Sequence, residues 1–131
     1  MRDAPTGTGR RLTDFVVAIL AFVRRLPREM AADSIIRQVA RSACNMSTHY
    51  RDACAARSTP EFLEKLSAAV QEADETDQWL WMAAQLQLGN SHELARLAAD
   101  AKELRAVLGS ALGNARRNIR RDPVVGRQRL T

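Results

Sequence analysis

The sequence predicts an all-α fold, an up-down-up-down left-handed four-helix bundle, on three observations. Four segments repeat apolar residues at steps of three and four, the period of one helix face. Connections of two to about six residues separate these segments, so successive helices should fold back antiparallel and cross at about 20°. Hydrophobic residues make up 46% of the 131 but aromatic residues only 5%, and abundant alanine favours closely packed helices over a sheet.

Helix 1 is predicted from about Leu12 to Arg25, and Pro27 ends it because a proline disfavours helical geometry at the residue before it. Residues 1–11 contain a proline and two glycines and are predicted to be a flexible tail. The nine apolar residues 15–23 are too few to span a membrane, and arginines follow them directly, so we expect neither a signal peptide nor a membrane segment. The apolar face of the helix is formed by Leu12, Phe15, Ile19, Phe22 and Leu26.

Helix 2 is predicted from an N-cap at Asp33 to about Arg57. Helix 3, predicted from about Pro60 to Leu88, has the clearest start. Ser58-Thr59-Pro60-Glu61 is a capping box with a proline in the first turn, where its missing N–H removes no helical hydrogen bond. The apolar series are Ile36, Val39, Ala43, Met46, Tyr50 and Ala53 on helix 2, and Phe62, Leu66, Ala69, Ala73, Thr76, Leu80 and Ala83 on helix 3.

Helix 4 is predicted to begin at Asn90-Ser91, after Gly89 stops helix 3. Two glycines weaken its later part, and Pro123 ends regular structure. We therefore predict one bundle domain over residues 12–121 and a basic tail over 122–131. The apolar series of helix 4 is Leu94, Leu97, Ala101, Leu104, Leu108, Ala111, Ala115 and Ile119.

The net charge of +5 is concentrated at one end of the chain. Residues 114–131 contain six arginines and one aspartate, so residues 1–113 balance to zero. Because the guanidinium fork donates two hydrogen bonds to a phosphate, these arginines are predicted to bind RNA or DNA. The alternative is a solvated helix end whose cations complement the helix dipole. The six are Arg116, Arg117, Arg120, Arg121, Arg127 and Arg129.

The segment 79–88 is apolar nearly all round its helix, which indicates burial on several faces. Trp79, Trp81 and Leu88 are predicted to form an oligomer interface. Trp81 and Leu88, seven residues apart, are expected to point away from the core. The alternative is that a loop or the N-terminal tail covers these side chains.

The sequence contains no pattern typical of an active site or a metal site. Neither histidine, His49 or His92, follows a glutamate by three residues, as a di-iron bundle requires. Cys44 and Cys54, ten residues apart on one helix, are separated by about 15 Å and cannot bridge each other. We therefore expect no enzymatic activity, no metal and no cofactor, in a reducing, cytoplasmic location.

Two polar groups remain on the predicted helices. His49 and Asp52, three residues apart, are predicted to form a polar pair on the surface of helix 2. An acidic cluster on helix 3 is expected to be a solvated face or to pair with arginines. It consists of Glu72, Asp74, Glu75 and Asp77.

The central part of the chain resembles a known family in the order and spacing of its residues. The matching residues are Leu26-Pro27, Gln38-Val39-Ala40-Arg41-Ser42-Ala43, Asp52, Ser58 and Glu61-Phe62, followed by a helix rich in alanine and glutamate. They are similar to the four-helix bundle proteins also called 23S ribosomal RNA intervening-sequence proteins, over about residues 12–115. The chain departs from that pattern at His49, commonly asparagine, at Asp52, usually glutamate, and at Ala53, usually glycine.

This resemblance implies a bacterial cytosolic bundle that assembles into a ring, commonly a pentamer. It also implies kinship with accessory proteins of diversity-generating retroelements, which are basic rings that bind a reverse transcriptase and nucleic acid. Two function classes follow. The first is a non-enzymatic oligomeric accessory protein that binds nucleic acid through its arginines. The alternative is a structural or adaptor protein that binds another protein through an apolar surface, without nucleic acid.

Overall fold

The computed structural model describes residues 7–121, which form four α-helices and, within that range, no strand. The helices pack against each other around one core; α2 and α3 share the largest interface, and α1 contacts both α2 and α4. The predicted all-α class and the number of helices are confirmed, and the predicted tail over 122–131 lies outside the described residues. The helices are α1 (Thr8–Arg24), α2 (Met30–Cys54), α3 (Thr59–Gln85) and α4 (Ser91–Arg121).

The core follows the predicted apolar series closely. All seven residues of the α3 series are buried, as are four of the six on α2, with Ile36 and Tyr50 half-buried. On α4 the five residues from Leu94 to Leu108 are buried, and Leu112 then takes the buried position that the series assigned to its neighbour Ala111. The 3.6-residue helical repeat accounts for this shift, because a strict alternation of three and four drifts round the helix over several turns.

The contact between α2 and α3 is made by small side chains. Ala43, Ala69 and Ala73 have no exposed surface, which lets the two backbones approach closely. Two buried hydroxyls meet in the same contact: Thr76 Oγ1 donates to Ser42 Oγ at 2.9 Å, and Ser42 Oγ donates to the Gln38 carbonyl at 2.8 Å. Both hydroxyls are satisfied, so this polar pair is compatible with a dry interface.

The first helix begins earlier than predicted, at Thr8, so residues 8–11 belong to α1 and not to the tail. Local contacts stabilise this extra turn. Thr13 Oγ1 donates to the Gly9 carbonyl at 3.1 Å, and Arg10 forms an ion pair with Asp14 at 3.2 Å. Arg11 contributes a non-local contact because it pairs with Glu103 on α4.

The bounds of α2 also differ from the prediction. The N-cap is Glu29 and not Asp33, since the Asp33 amide donates to the Glu29 carbonyl at 2.9 Å. Asp33 lies in the first turn, where its charge complements the helix dipole. The helix ends at Cys54, three residues before the predicted end, and the chain then places Ala56 in the core.

The start of α3 confirms the predicted capping box in a modified form. Ser58 Oγ accepts the Glu61 amide at 3.3 Å, and Pro60 lies in the first turn. In return, Glu61 Oε2 accepts the backbone N–H of Arg57 at 2.9 Å, one residue before the amide that a standard capping box uses. Two reciprocal hydrogen bonds, one to the Ser58 side chain and one to the Glu61 side chain, therefore stabilise the start of the helix.

The end of α3 comes at Gln85, three residues before the predicted Leu88. Gln87 adopts a φ of 57°, its amide donates to the Ala84 carbonyl at 3.0 Å, and the Leu88 amide donates to the Ala83 carbonyl at 3.1 Å. This is a Schellman motif with glutamine in the left-handed position. The next helix is capped by Asn90, as predicted, since Asn90 Oδ1 accepts the Glu93 amide at 2.9 Å.

Gly89 lies where the connection between α3 and α4 meets the end of α1. Its φ is 67°, and a Cβ there would lie 2.6 Å from Leu26 Cδ2 and 2.8 Å from the ring of Phe22. Residues that carry a side chain rarely adopt a positive φ, and the neighbouring atoms leave no space for a side chain here. Only glycine therefore allows the two connections to touch.

We predict that Gly89→Ala lowers the free energy of unfolding by more than about 1 kcal/mol, because it adds left-handed strain to a steric clash. Gly109→Ala is the matched control, since nothing lies within 4 Å of a Cβ at that helical position. It should raise stability by roughly 0.5–1 kcal/mol. Urea unfolding measures both variants, and equal effects would contradict the close approach at Gly89.

We predict that Ala73→Leu destabilises the protein by about 1–3 kcal/mol, because three added carbons must fit between α2 and α3. Ala99→Leu places the same side chain on the exposed face of α4 and should change stability by no more than about 0.5 kcal/mol. The two variants are compared by their urea unfolding midpoints, provided that the dependence of unfolding free energy on urea concentration is the same for both. If Ala73→Leu were as neutral as its control, the α2–α3 contact would be looser than described.

Candidate nucleic-acid interface

Three of the six predicted phosphate-binding arginines lie on the last turns of α4. Arg116, Arg117 and Arg120 are exposed, and Arg120 lies four residues after Arg116 and three after Arg117, so it neighbours each of them on the helix surface. Arg117 donates to the side chain of Asn114, and no carboxylate among the described residues pairs with any of the three. Arg121 is the last residue of α4, and Arg127 and Arg129 lie outside the described residues.

The helix that carries these arginines stays packed against the bundle almost to its end. Leu108 and Leu112 are buried, and Ala111 and Ala115 in the same part of α4 pack against the core. Neither glycine of this segment interrupts the helix. Arg116 therefore follows a docked residue directly, so the side chains start from a fixed backbone and not from a frayed helix end.

Six cations elsewhere in the described bundle are neutralised by carboxylates, and three of these six pair with the acidic cluster of α3. The acidic cluster of α3 pairs with two arginines and a lysine on α2 and α4, which is the second of the two alternatives predicted for it. Two of its members, Glu72 and Asp77, have side chains only 14% and 17% exposed. The cations in these pairs connect α3 with its two neighbouring helices. The pairs are Arg41 with Glu72 and Glu75, Lys102 with Asp77, and Arg105 with Asp74 and Asp77, at distances of 2.8–3.8 Å.

The predicted polar pair of His49 and Asp52 is not formed. His49 Nε2 lies 4.0 Å from Glu72 Oε2 on the neighbouring helix, while Asp52 is exposed. His49 Nδ1 and Glu72 Oε1 are buried and have no hydrogen-bond partner within the described part of the chain. No group of three potential metal ligands occurs among residues 7–121, so this histidine–glutamate contact does not form part of a recognisable metal site.

Of the three predicted interface residues, only Trp81 is exposed, at 61%. Trp79 and Leu88 pack against the core, so the prediction that Leu88 points away from the core is wrong. The left-handed turn at Gln87 explains the difference, since it reverses the chain before Leu88. Trp81 lies beside an apolar groove of about 550 Å³ between α3 and α4, lined mainly by Leu80, Ala84, Leu88, Leu94, Ala95 and Ala98.

The exposed side chains that were not predicted to be functional include Leu86 and Arg57. Leu86, at the C-cap of α3, is 53% exposed near Trp81 in sequence. Arg57 is exposed in the connection between α2 and α3, where only its backbone N–H takes part in the capping box. A basic residue isolated in sequence carries no signal by itself, because its neighbours in the fold come from other helices.

The comparisons with known proteins agree with this architecture. A family model described as 23S rRNA-intervening sequence protein matches residues 10–110. A solved structure from Bacteroides thetaiotaomicron VPI-5482, a protein of unknown function from the S23 ribosomal protein family, is 25% identical with a TM-score of 0.73. The similarity covers 80% of this chain and 97% of that one. A search among curated proteins finds no match. Within the described residues, no helix has the length and hydrophobicity needed to cross a membrane.

Proposed function

The chain belongs to the 23S rRNA-intervening sequence protein family, and we propose that it is a non-enzymatic accessory protein that binds nucleic acid. The observation that carries this proposal is the set of exposed arginines on α4, Arg116, Arg117 and Arg120, none of which pairs with a described carboxylate. Unpaired guanidinium groups on a docked helix suit contact with phosphate, because each can donate two parallel hydrogen bonds.

The helices are proposed to run up, down, up and down. The cross-helix ion pairs support this direction: Lys102 pairs with Asp77, while Arg105, three residues later on α4, pairs with Asp74, three residues earlier on α3. The pairs of α1 with α4 follow the same rule, since Arg11 meets Glu103 and Arg25 meets Glu93. In such a series of ion pairs, residue numbers rise along one helix and fall along the other, which is expected only when the two helices are antiparallel.

This direction brings a fourth arginine to the same end of the molecule. Arg120 lies fifteen residues after Arg105, and Thr59 lies fifteen residues before Asp74, so Arg120 is level with the start of α3. Arg57 precedes that start by two residues. We name Arg57, Arg116, Arg117 and Arg120 the basic end.

One basic end should bind phosphate only weakly, because carboxylates such as Asp52 and Glu64 are also exposed on the adjoining helices. Assembly of several chains would add their fields and strengthen binding to a polyanion. We therefore propose a ring, commonly a pentamer by the family resemblance. Exposed Trp81 beside the groove between α3 and α4 supports this contact, since such a patch is costly in water.

The shape of the bundle is consistent with an interface between chains. The 17 residues of α1 extend for about 25 Å, whereas the 31 residues of α4 extend for about 46 Å. The first helix therefore covers only about half of its neighbour. A cytoplasmic location is part of the proposal, and Cys44 and Cys54, which are not joined in a disulfide, fit a reducing compartment.

The groove beside Trp81 also favours a second function, that of an adaptor. An apolar groove lined by alanines accepts a helix of a protein partner, and a reverse transcriptase is the partner that the family resemblance suggests. Binding of this kind would not require the basic end. Dependence of nucleic-acid affinity on salt separates the two functions, because only phosphate contact releases counterions.

We predict that Arg116→Ala with Arg120→Ala flattens the slope of log affinity against log salt by about 1.4 for single-stranded RNA, at about 0.7 per lost phosphate contact. Fluorescence anisotropy between 50 and 200 mM salt measures the slope. Lysine at both positions should retain most of it, because the charge survives although the guanidinium fork is lost.

The matched control removes two cations on other parts of the bundle, half-buried Lys65 and exposed Arg96, with Lys65→Ala and Arg96→Ala. It should leave the slope close to that of the parent chain. Absence of RNA binding by the intact protein, or an equal loss in control and test variants, would move the preference to the adaptor function.

We predict that Trp81→Glu dissociates the assembly without unfolding the bundle, because an exposed site accepts the carboxylate in the single chain but an apolar interface does not. Val17→Glu is the control, since Val17 is equally exposed at 61% but lies on α1. Light scattering at micromolar concentration and the helical circular dichroism signal measure the two effects. A monomer mass for the parent protein would refute the ring.

A further inference from the structure

A cleft of about 570 Å³ lies between the end of α1 and the start of α2. Its polar lining is mainly basic, with three arginines, Arg24, Arg28 and Arg37, against one carboxylate, Asp33. The remaining walls are apolar. They are formed by Leu20, Val23, Leu26, Pro27 and Ile36.

The three arginines of the cleft form none of the described ion pairs that connect helices. All three are exposed, and none pairs with a carboxylate among the described residues. Their neighbour Arg25 behaves differently, because it points to α4 and pairs with Glu93. Of these two adjacent residues, Arg25 therefore connects α1 with α4, and Arg24 lines the cleft.

The connection that carries Arg28 is fixed from the opposite side. Phe22 and Leu26 lie against Gly89, which leaves no room for a side chain, and the Arg25–Glu93 ion pair anchors the end of α1. The cleft is therefore built on a supported turn. Arginines on a fixed backbone lose less conformational freedom on binding than arginines on a free tail.

From these observations we propose that the α1–α2 cleft is a second nucleic-acid contact, in which Arg24, Arg28 and Arg37 bind the phosphates of a single strand. This proposal rests on the proposed function and deepens it. The apolar walls provide a surface for the base or sugar of a bound nucleotide. Asp33, the one carboxylate of the lining, can accept a hydrogen bond from an amino group of a base.

The cleft and the basic end lie at opposite ends of the bundle. The cleft is next to the start of α2, and Arg57 follows the end of that helix, whose 25 residues rise about 37 Å. One phosphate-binding region would compensate little for loss of the other, because the two share no residue. Effects of changes at the two regions should therefore add in free energy.

The experiment removes two cleft arginines together, with Arg24→Ala and Arg37→Ala in the full chain, and measures anisotropy of a labelled single-stranded RNA at several salt concentrations. The expected result is a slope of log affinity against log salt that is flatter by about 1.4, from two lost contacts. Lys65→Ala with Arg96→Ala is the charge-matched control and should leave the slope unchanged. Circular dichroism should give the parent unfolding midpoint for each variant, because none of these side chains is fully buried or paired with a described carboxylate.

The outcomes at the two regions distinguish the two proposals. A parental slope for the cleft variant, together with a flatter slope for the Arg116→Ala, Arg120→Ala variant, would overturn the cleft contact alone. The reverse pattern would support the cleft and remove the basic end from the function. Parental slopes for both variants, or no RNA binding by the intact chain, would overturn both. Titration with inorganic phosphate provides a further test. If the Arg24→Ala, Arg37→Ala variant lost phosphate binding but kept the RNA affinity of the parent chain, the cleft contact would also be overturned.

Discussion

The close approach of α2 and α3 is the constraint on which the rest of the structure depends. Three alanines without exposed surface and the bonded hydroxyls of Ser42 and Thr76 form this contact, so it has one favourable register. A shift by one helical step would break the hydrogen bond between the two hydroxyls, at a net cost of about 0.5–1.5 kcal/mol, while Ser42 Oγ could still donate to the Gln38 carbonyl and Thr76 Oγ1 to the Glu72 carbonyl. With α3 fixed, its carboxylates determine where α4 can lie, and α4 in turn carries the arginines of the basic end.

The ion pairs divide the arginines into two groups with different uses. Arg41 and Arg105 lie between carboxylates of α3 and connect helices, whereas nine exposed arginines have no described carboxylate partner: Arg24, Arg28, Arg37, Arg51, Arg57, Arg96, Arg116, Arg117 and Arg120. Exposed pairs of the first kind contribute little stability singly, but they specify which helix faces which. The second group leaves positive charge at both ends of the bundle, where a polyanion can reach it. The nucleic-acid proposal depends on this division more than on the net charge of the chain.

The parts of the fold that could be predicted from sequence are those encoded locally. The α3 seam was predicted in full because burial repeats with the helix itself, and Ser58 fixes its start within one turn. Features made by distant residues were missed. The first turn of α1 is tied to Glu103, and His49 contacts Glu72 instead of its sequence neighbour Asp52. The left-handed turn at Gln87 was also missed, because glutamine gives no signal for that geometry, and the direction of Leu88 was wrong as a result.

Nuclear magnetic resonance of the arginine side-chain Nε–H groups, recorded while single-stranded RNA is added, tests most directly whether the fold divides arginines into structural and binding groups. The signals of Arg24, Arg37, Arg116 and Arg120 should move with added RNA and return with added salt. The signals of Arg41 and Arg105 should not move, because the guanidinium groups of these residues already pair with carboxylates of α3. Equal movement of all the signals, or movement of Arg41 and Arg105 alone, would contradict this division.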